Sequence, residues 1–358
     1  MELASYLKNI KLAKQIFVAA LALKIAIYFV FLAIGVDAWY PTSDAFHYHE
    51  VAQGRIVNDL RAWGLWLKTL NDYGLYERAC IASLIFISNC FLFPWLLYMS
   101  IRTEGELMAA QDVWLITVAS IYPTLTFFSF DIYREMPMVL LYLAALIVVR
   151  KIATPSGLLA PIDYLKYSSC LLVILCATYP LRFYLAVSIV MALMCCYIFD
   201  TARRLSLFLL LFNIGLLVAN SMGEFDWMKY EFRPSQAGAG SAYGIDFNHG
   251  YFLMNFWESF LANIYGVYMF GGASKLLFLL ESVPAMILTG YFWINRVYID
   301  RFVSFLIIFF FIYSAAWIVG IDVLGTAVRY RIFNYLALLM AAVVLYKNKN
   351  RQSVSTYV

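Results

Sequence analysis

The sequence predicts an all-α, polytopic membrane protein, and three observations carry that reading. Of its 358 residues, 64% are hydrophobic and 13% charged, with a mean hydropathy of +0.77; a soluble chain of this length carries roughly twice that charged fraction. Apolar runs approaching the roughly 20 residues needed to cross a bilayer recur about ten times. Basic residues gather at alternate ends of those runs, the asymmetry that orients membrane proteins. The net charge of +4 says little beside that placement, and no basic patch of the nucleic-acid-binding kind is present, so nucleic acid is not expected as a partner.

In chain order, the expected spans fall at 15–36, 80–101, 112–129, 136–149, 167–180, 183–199, 205–221, 276–295, 302–320 and 331–346, several of them short enough to recruit flanking residues. No small-residue cleavage site follows the first, which reads as an anchor; Lys24 within it is expected to snorkel toward the cytoplasm. With Lys8, Lys11 and Lys14 inside, alternation also puts Arg102, Arg150, Lys151, Arg203 and Arg204 inside. The same holds for Arg296, Arg301, Lys347, Lys349 and Arg351, so both termini are expected to be cytoplasmic. The outer face receives loops 37–79 and 222–275 and the links 129–135, 181–182 and 321–330. A single membrane domain, 1–358, is expected, its two long outer loops carrying the site. All six cysteines lie in or beside apolar runs, without a Cys-x-x-Cys, and read as lipid- or core-facing thiols. No repeat of 20–50 residues is visible, which weighs against a secondary transporter. The Gly/Ser/Pro-rich stretch 233–250 reads as an exposed outer loop.

The outer loop 37–79 contains "SDAFHYHE", residues 43–50. From Asp44 onward, apolar residues recur at helical spacing (Phe46, Val51, Ile56, Leu60, Trp63, Leu67, Leu70) with charges between them. An amphipathic helix lying at the outer interface is expected, broken near Gly54 or Gly64. At its start, Ser43 or Asp44 serves as N-cap, and the same position aims Asp44 at the membrane surface. His47 and His49 are two apart, hence on opposite helix faces, and make a poor metal pair; singly, each is a substrate-binding candidate.

Further charges cluster at the other outer links. Asp131, Arg134 and Glu135 lie between two spans, with Pro137 suited to the first turn of the returning helix. An Arg beside a helix N-terminus makes a phosphate or carboxylate site, or pairs with the adjacent Glu as a cap. Arg182 occupies a tight turn between spans, Glu281 interrupts an apolar run beside a Pro, and Arg329 and Arg331 open the last span. Ionisable groups are costly in a bilayer and face a cavity or a partner; for Glu281 that partner could be a cation such as Lys275.

These residues resemble a family: the GT-C glycosyltransferases that use polyprenyl-phosphate sugars, including bacterial relatives of the protein O-mannosyltransferases. The resemblance rests on Asp44, Tyr48, His49 and Ala52 (an Asp-x-x-x-Tyr followed by His and Ala), on Pro123, Ser129, Arg134 and Glu135 opening the returning span, and on Arg329, Tyr330 and Arg331 before the last. It covers the first third of the chain well and the last thirty residues loosely; the middle matches in hydropathy alone. It implies a GT-C-like membrane fold in a bacterial inner membrane with the site facing the periplasm or exterior. The implied catalytic base is Asp44, with Glu135 or Asp131 as second acid; beside the resemblance, the residues read as candidates for substrate binding are Tyr48, His47, His49, Arg134, Arg182, Glu281, Arg329 and Arg331. The implied partners are a polyprenyl-phosphate sugar donor, a glycan or lipid-linked acceptor, and membrane lipids. No counterpart of the metal-binding oligosaccharyltransferase branch's soluble domain is present, so no cofactor is expected and a divalent metal is not indicated. Arginines forking onto phosphate and a carboxylate base suit such transfer. The runner-up is a repeat-unit polymerase of the O-antigen type; a lipid-linked glycan flippase is a third reading, disfavoured because the charges crowd one face.

Overall fold

The structure, a computed structural model, describes residues 2–34, 43–56, 61–102, 108–153, 160–225, 250–267, 274–320 and 324–355. The 233–250 loop lies outside them but for its last residue, as do parts of both long loops. Among the described residues every regular element is helical. In chain order these are α1 (Glu2–Ile34), α2 (Asp44–Ala52), α3 (Ala62–Asp72), α4 (Arg78–Ile101), α5 (Ala110–Ile121), α6 (Pro123–Phe127) and α7 (Glu135–Ala153). There follow α8 (Pro161–Thr178), α9 (Phe183–Cys196), α10 (Ala202–Ser221), α11 (Phe252–Tyr265), α12 (Lys275–Ile294), α13 (Arg301–Gly320) and α14 (Leu324–Ser355).

Seven helices among the described residues are long and apolar enough to cross a membrane: those within α1, α4, α7, α10, α12, α13 and α14. The remaining expected spans are shorter or more polar. The run 112–129 divides because Pro123 starts a new helix and forces Tyr122 out of the helical region, to φ −54° and ψ 110°. The run 183–199 becomes the 14-residue α9, and 167–180 lies in α8, whose first half carries Asp163 and Lys166. The amphipathic segment after Ser43 breaks at Gly54, whose φ of +73° suits glycine. Gly64 does not break it: it lies inside α3, and a Cβ there would stand 2.9 Å from Val51 Cγ1, so its bareness lets α2 and α3 approach.

Two membrane-length helices contain a π turn with one cause. In α4, Pro94 lacks the N–H that would bond the Cys90 carbonyl, and its ring crowds that carbonyl. The helix widens just before it, Phe93 N–H bonding Ser88 O, five residues back. Pro284 does the same in α12, where Val283 N–H bonds Phe278 O. Each widened turn puts a buried polar side chain inside: Asn89 in α4 and Glu281 in α12.

The chain divides into two compact units, 1–148 with 160–183, and 149–159 with 184–358. In the first, α1 packs on α5, Thr117 Oγ1 donating to Ala13 O at 3.3 Å. Tyr28 stacks on Phe86 at 4.0 Å within a cluster that includes Cys90 and Phe130. Lys24, expected to reach a surface, is buried. In the second unit, Phe302, Phe305, Phe309 and Tyr313 stack along one face of α13. Asn334 of α14 donates to Phe310 O (2.9 Å) and Ser314 Oγ (2.8 Å), which satisfies a polar group in an otherwise apolar helix pair.

Candidate functional site

In the first unit, charged side chains gather around the turn that leads into α7. Asp131 Oδ1 accepts from the Ile132 N–H, which fixes the carboxylate, and Arg78, at the first position of α4, forks onto it with Nε–Oδ1 at 3.1 Å and Nη2–Oδ2 at 2.6 Å. Both partners are largely buried (14% and 2% exposed). Glu135 opens α7, where the positive end of the helix dipole favours a carboxylate, and it pairs at 3.6 Å with Arg182 from the turn after α8. Pro137 sits in α7's first turn, as its fixed φ favours. Arg134, half-buried, donates to Leu181 O at 3.2 Å and pairs with no carboxylate among the described residues. Among the described residues, Arg78 and Arg182 are thus each paired with a carboxylate and Arg134 is not.

A second layer leans on the first. Trp63 of α3 donates to Ile132 O at 2.7 Å, tying the amphipathic pair to the charged turn. His49 Nδ1 lies 2.8 Å from the Tyr76 hydroxyl. Burial pushes the Tyr76 phenol up to about 12; the nearby Arg78 opposes that shift and Asp131 reinforces it. Tyr76 thus stays protonated at neutral pH beside the Arg78–Asp131 pair.

Ser43 is the N-cap of α2, its Oγ accepting from Phe46 N–H at 3.2 Å. Asp44 is therefore half-buried in the first helical turn instead of capping it, about 7.5 Å along the axis from His49 at 1.5 Å per residue. Tyr48 is fully buried at the α2–α3 contact beside Gly64. His47 is half-buried with its ring edge-on to Tyr48 at 6.1 Å. The structure joins His49, Asp131, Arg134, Glu135 and Arg182 to one turn through these contacts and puts Tyr48 in a packing role.

An apolar groove of about 460 Å³ runs between α3, α4 and α7, walled by Trp63, Leu67, Ile81, Ile85, Pro137 and Leu140. Its walls meet the charged turn: Ile81 is one turn on from Arg78, and Pro137 is two residues past Glu135.

Glu281, Arg329 and Arg331 belong to the second unit. Arg331 Nη2 bonds Glu281 Oε2 at 3.0 Å with both side chains fully buried. Arg331 Nη1 reaches Ser282 Oγ at 3.3 Å, and its guanidinium lies 5.2 Å over the Tyr335 ring. The partner of Glu281 is thus Arg331, fifty positions away, and not Lys275, which is exposed. Arg329 is half-buried one turn into α14.

Sequence reasoning missed Arg78, Tyr76 and Trp63. Arg78 opens a span just as Asp131 precedes one, and that matched placement is the signal that could have paired them. Compared with family models, curated proteins and solved structures, the chain matches none.

Proposed function

We propose that the protein is a membrane glycosyltransferase that moves a sugar from a polyprenyl-phosphate donor to an extracytoplasmic lipid-linked or surface-glycan acceptor. The observation that carries this reading is Arg134: a half-buried guanidinium that pairs with no carboxylate among the described residues, two positions before Met136 in the lining of an apolar groove. A phosphate on an isoprenoid tail matches that pairing of a cation with a greasy slot, because arginine forks onto phosphate oxygens and the tail is insoluble in water. In this reading Asp131 and Glu135 hold Arg78 and Arg182 in place, and their ion pairs make them positioning groups rather than bases.

Asp44 is the general base. Its carboxylate takes the acceptor hydroxyl proton, the acceptor oxygen bonds to the anomeric carbon, and the bond from that carbon to the phosphate oxygen breaks. Polyprenyl phosphate leaves with the electron pair, its growing charge met by Arg134. The site faces outward and both termini lie in the cytoplasm of a bacterial cell, in line with the basic residues at the inner ends of the spans.

The test is sugar transfer by purified protein given undecaprenyl-phosphate sugars. Arg134→Gln is expected to lower kcat by about 10²-fold or more, Arg134→Lys less, and Asp44→Asn at least as much as Arg134→Gln. Full activity in both Arg134→Gln and Asp44→Asn overturns the assignment. Turnover of a lipid-pyrophosphate oligosaccharide in place of the monosaccharide donor would instead favour a repeat-unit polymerase.

A further inference from the structure

The opposite chemistry of the second unit, a crowd of bases with few acids, gathers at one set of helix ends. Contacts show that these ends meet. Arg301, opening α13, donates to Ala153 O at the end of α7 (3.4 Å), and Arg150 of α7 lies 5.2 Å over the Phe302 ring. Asp200, before α10, pairs with Arg204 at 3.0 Å and approaches Arg301 at 3.9 Å. Near the end of α14, Asn348 donates to Tyr298 O and Asp300 Oδ2, and Lys349 to Asn295 Oδ1, all within 3.1 Å. Lys151, Arg203, Arg296, Lys347 and Arg351 also belong to these helix ends, where the acids among the described residues are Asp200 and Asp300.

Asp200 is already shared by two arginines. Arg296 is exposed and pairs with no carboxylate among the described residues; its Nη1 donates to Trp293 O at 2.7 Å and its guanidinium lies 5.0 Å over the Trp293 ring. The chain around it is built for lipid rather than water: Ile294 and Val297 are 76% and 79% exposed. Beside Arg296 a narrow cavity of about 80 Å³ enters the unit between α10, α11, α12 and α13. It runs from Arg296 past Trp293 to Thr289, about 10 Å along α12 at 1.5 Å per residue, with Leu205, Leu209 and Phe311 among its apolar walls. At its far end the Tyr265 hydroxyl and Thr289 Oγ1 bond each other at 3.0 Å, which leaves the lining without an unmatched donor there.

We propose that this is a binding site for an anionic phospholipid, its phosphate held by Arg296 and the first few methylenes of one acyl chain entering the slot between α10 and α12. A phosphodiester supplies a counter-charge to Arg296, which pairs with no carboxylate among the described residues, and Arg296 offers it a fork beside Trp293, an interfacial residue type. Apolar walls select for a chain rather than for a soluble phosphate. A zwitterionic lipid brings its own cation and does not relieve the excess. This site is independent of the transferase reading and uses none of its residues.

The experiment is native mass spectrometry of the full chain, purified in a neutral detergent, with added phosphatidylglycerol, phosphatidylcholine or inorganic phosphate. Wild type is expected to retain phosphatidylglycerol at least tenfold better than phosphatidylcholine. Arg296→Gln is expected to lower retention by about tenfold or more, the loss of one charge-assisted pair. Ser206→Trp, an exposed position that lines the cavity, should lower it similarly by filling the slot, while Arg351→Gln, a base of the same helix ends that does not line the cavity, should leave it within twofold. Equal retention of the two lipids, unchanged retention in Arg296→Gln, an equal loss in Arg351→Gln, or displacement by inorganic phosphate at matched concentration each overturns the proposal. The last two outcomes would mean diffuse charge attraction and a free-anion site respectively. Both the Arg296 and Ser206 changes are at exposed positions, and circular dichroism confirms that the variants are folded before binding is compared.

Discussion

Replacing Asp131 by Ala would leave the Arg78 guanidinium beside a hole and take away the acceptor of the Ile132 N–H. The carboxylate is 2% exposed, so its pairing is made outside bulk water, and removing one partner of such a pair costs about 3–5 kcal/mol. Arg78, at 14%, can partly rehydrate, which puts the expected loss near the lower bound, about 3 kcal/mol. Asp131→Asn keeps one oxygen, enough for the Ile132 N–H and Arg78 Nε, but sets an amide NH2 against Arg78 Nη2, so a loss of about 1.5–3 kcal/mol, that of a hydrogen bond to a charged group, is expected. Arg78→Met strands the carboxylate and should cost about as much as Asp131→Ala. The Arg78→Met/Asp131→Asn double variant should then lose less than the sum of the single changes, with a coupling of about 2 kcal/mol. Glu50→Gln is the control: its partner Arg55 is 61% exposed, and the effect should stay under about 0.5 kcal/mol. Unfolding of the purified chain by SDS titration in mixed micelles, followed by far-UV circular dichroism, gives these differences. A coupling under about 0.5 kcal/mol, or an Asp131→Ala loss no larger than that of Glu50→Gln, would refute the view that this pair anchors the charged turn.

Two further predictions concern the elements next to that turn. Gly64→Ala should destabilise by about 1–2 kcal/mol, because the added methyl meets Val51 Cγ1 at 2.9 Å and the gain in helix propensity, about 1 kcal/mol, only partly offsets it. Val51→Ala should rescue it, whereas Gly215→Ala in α10, where a Cβ meets nothing within 4 Å, should stabilise; a stabilising Gly64→Ala would show that α2 and α3 do not pack this closely. For Tyr76, the folded phenol titrates near 12 against an ordinary value of 10, so folding favours the protonated form. That contribution is fully present below pH 10 and is lost between 10 and 12. The 295 nm titration of wild type minus Tyr76→Phe should show a midpoint near 12, and a midpoint at 10 would remove the case for its burial against Arg78 and Asp131.

Much of the architecture was legible in the residues because helices and membranes are read locally. An apolar run needs only its own length and composition to declare itself, and a break such as Gly54 or Pro123 acts on its immediate neighbours. The positions of the charges at helix ends could be read in the same way, which is how Asp131, Arg134, Glu135 and Arg182 came to be singled out. Span counting failed where one run hides two helices, since hydropathy does not register the turn that Pro123 imposes.

Partnership was not legible. Arg78 and Asp131 are 53 positions apart, Trp63 and Ile132 are 69, and Glu281 and Arg331 are 50; nothing local says which charge meets which. The sequence by itself determined that this chain is helical, membrane-bound and charged at the ends of its helices, because burying backbone and apolar side chains in lipid leaves little choice. Only the tertiary structure decided which arginine is neutralised by a carboxylate and which pairs with none among the described residues. That outcome depends on helices brought side by side from distant parts of the chain, and there a buried charge must find its partner.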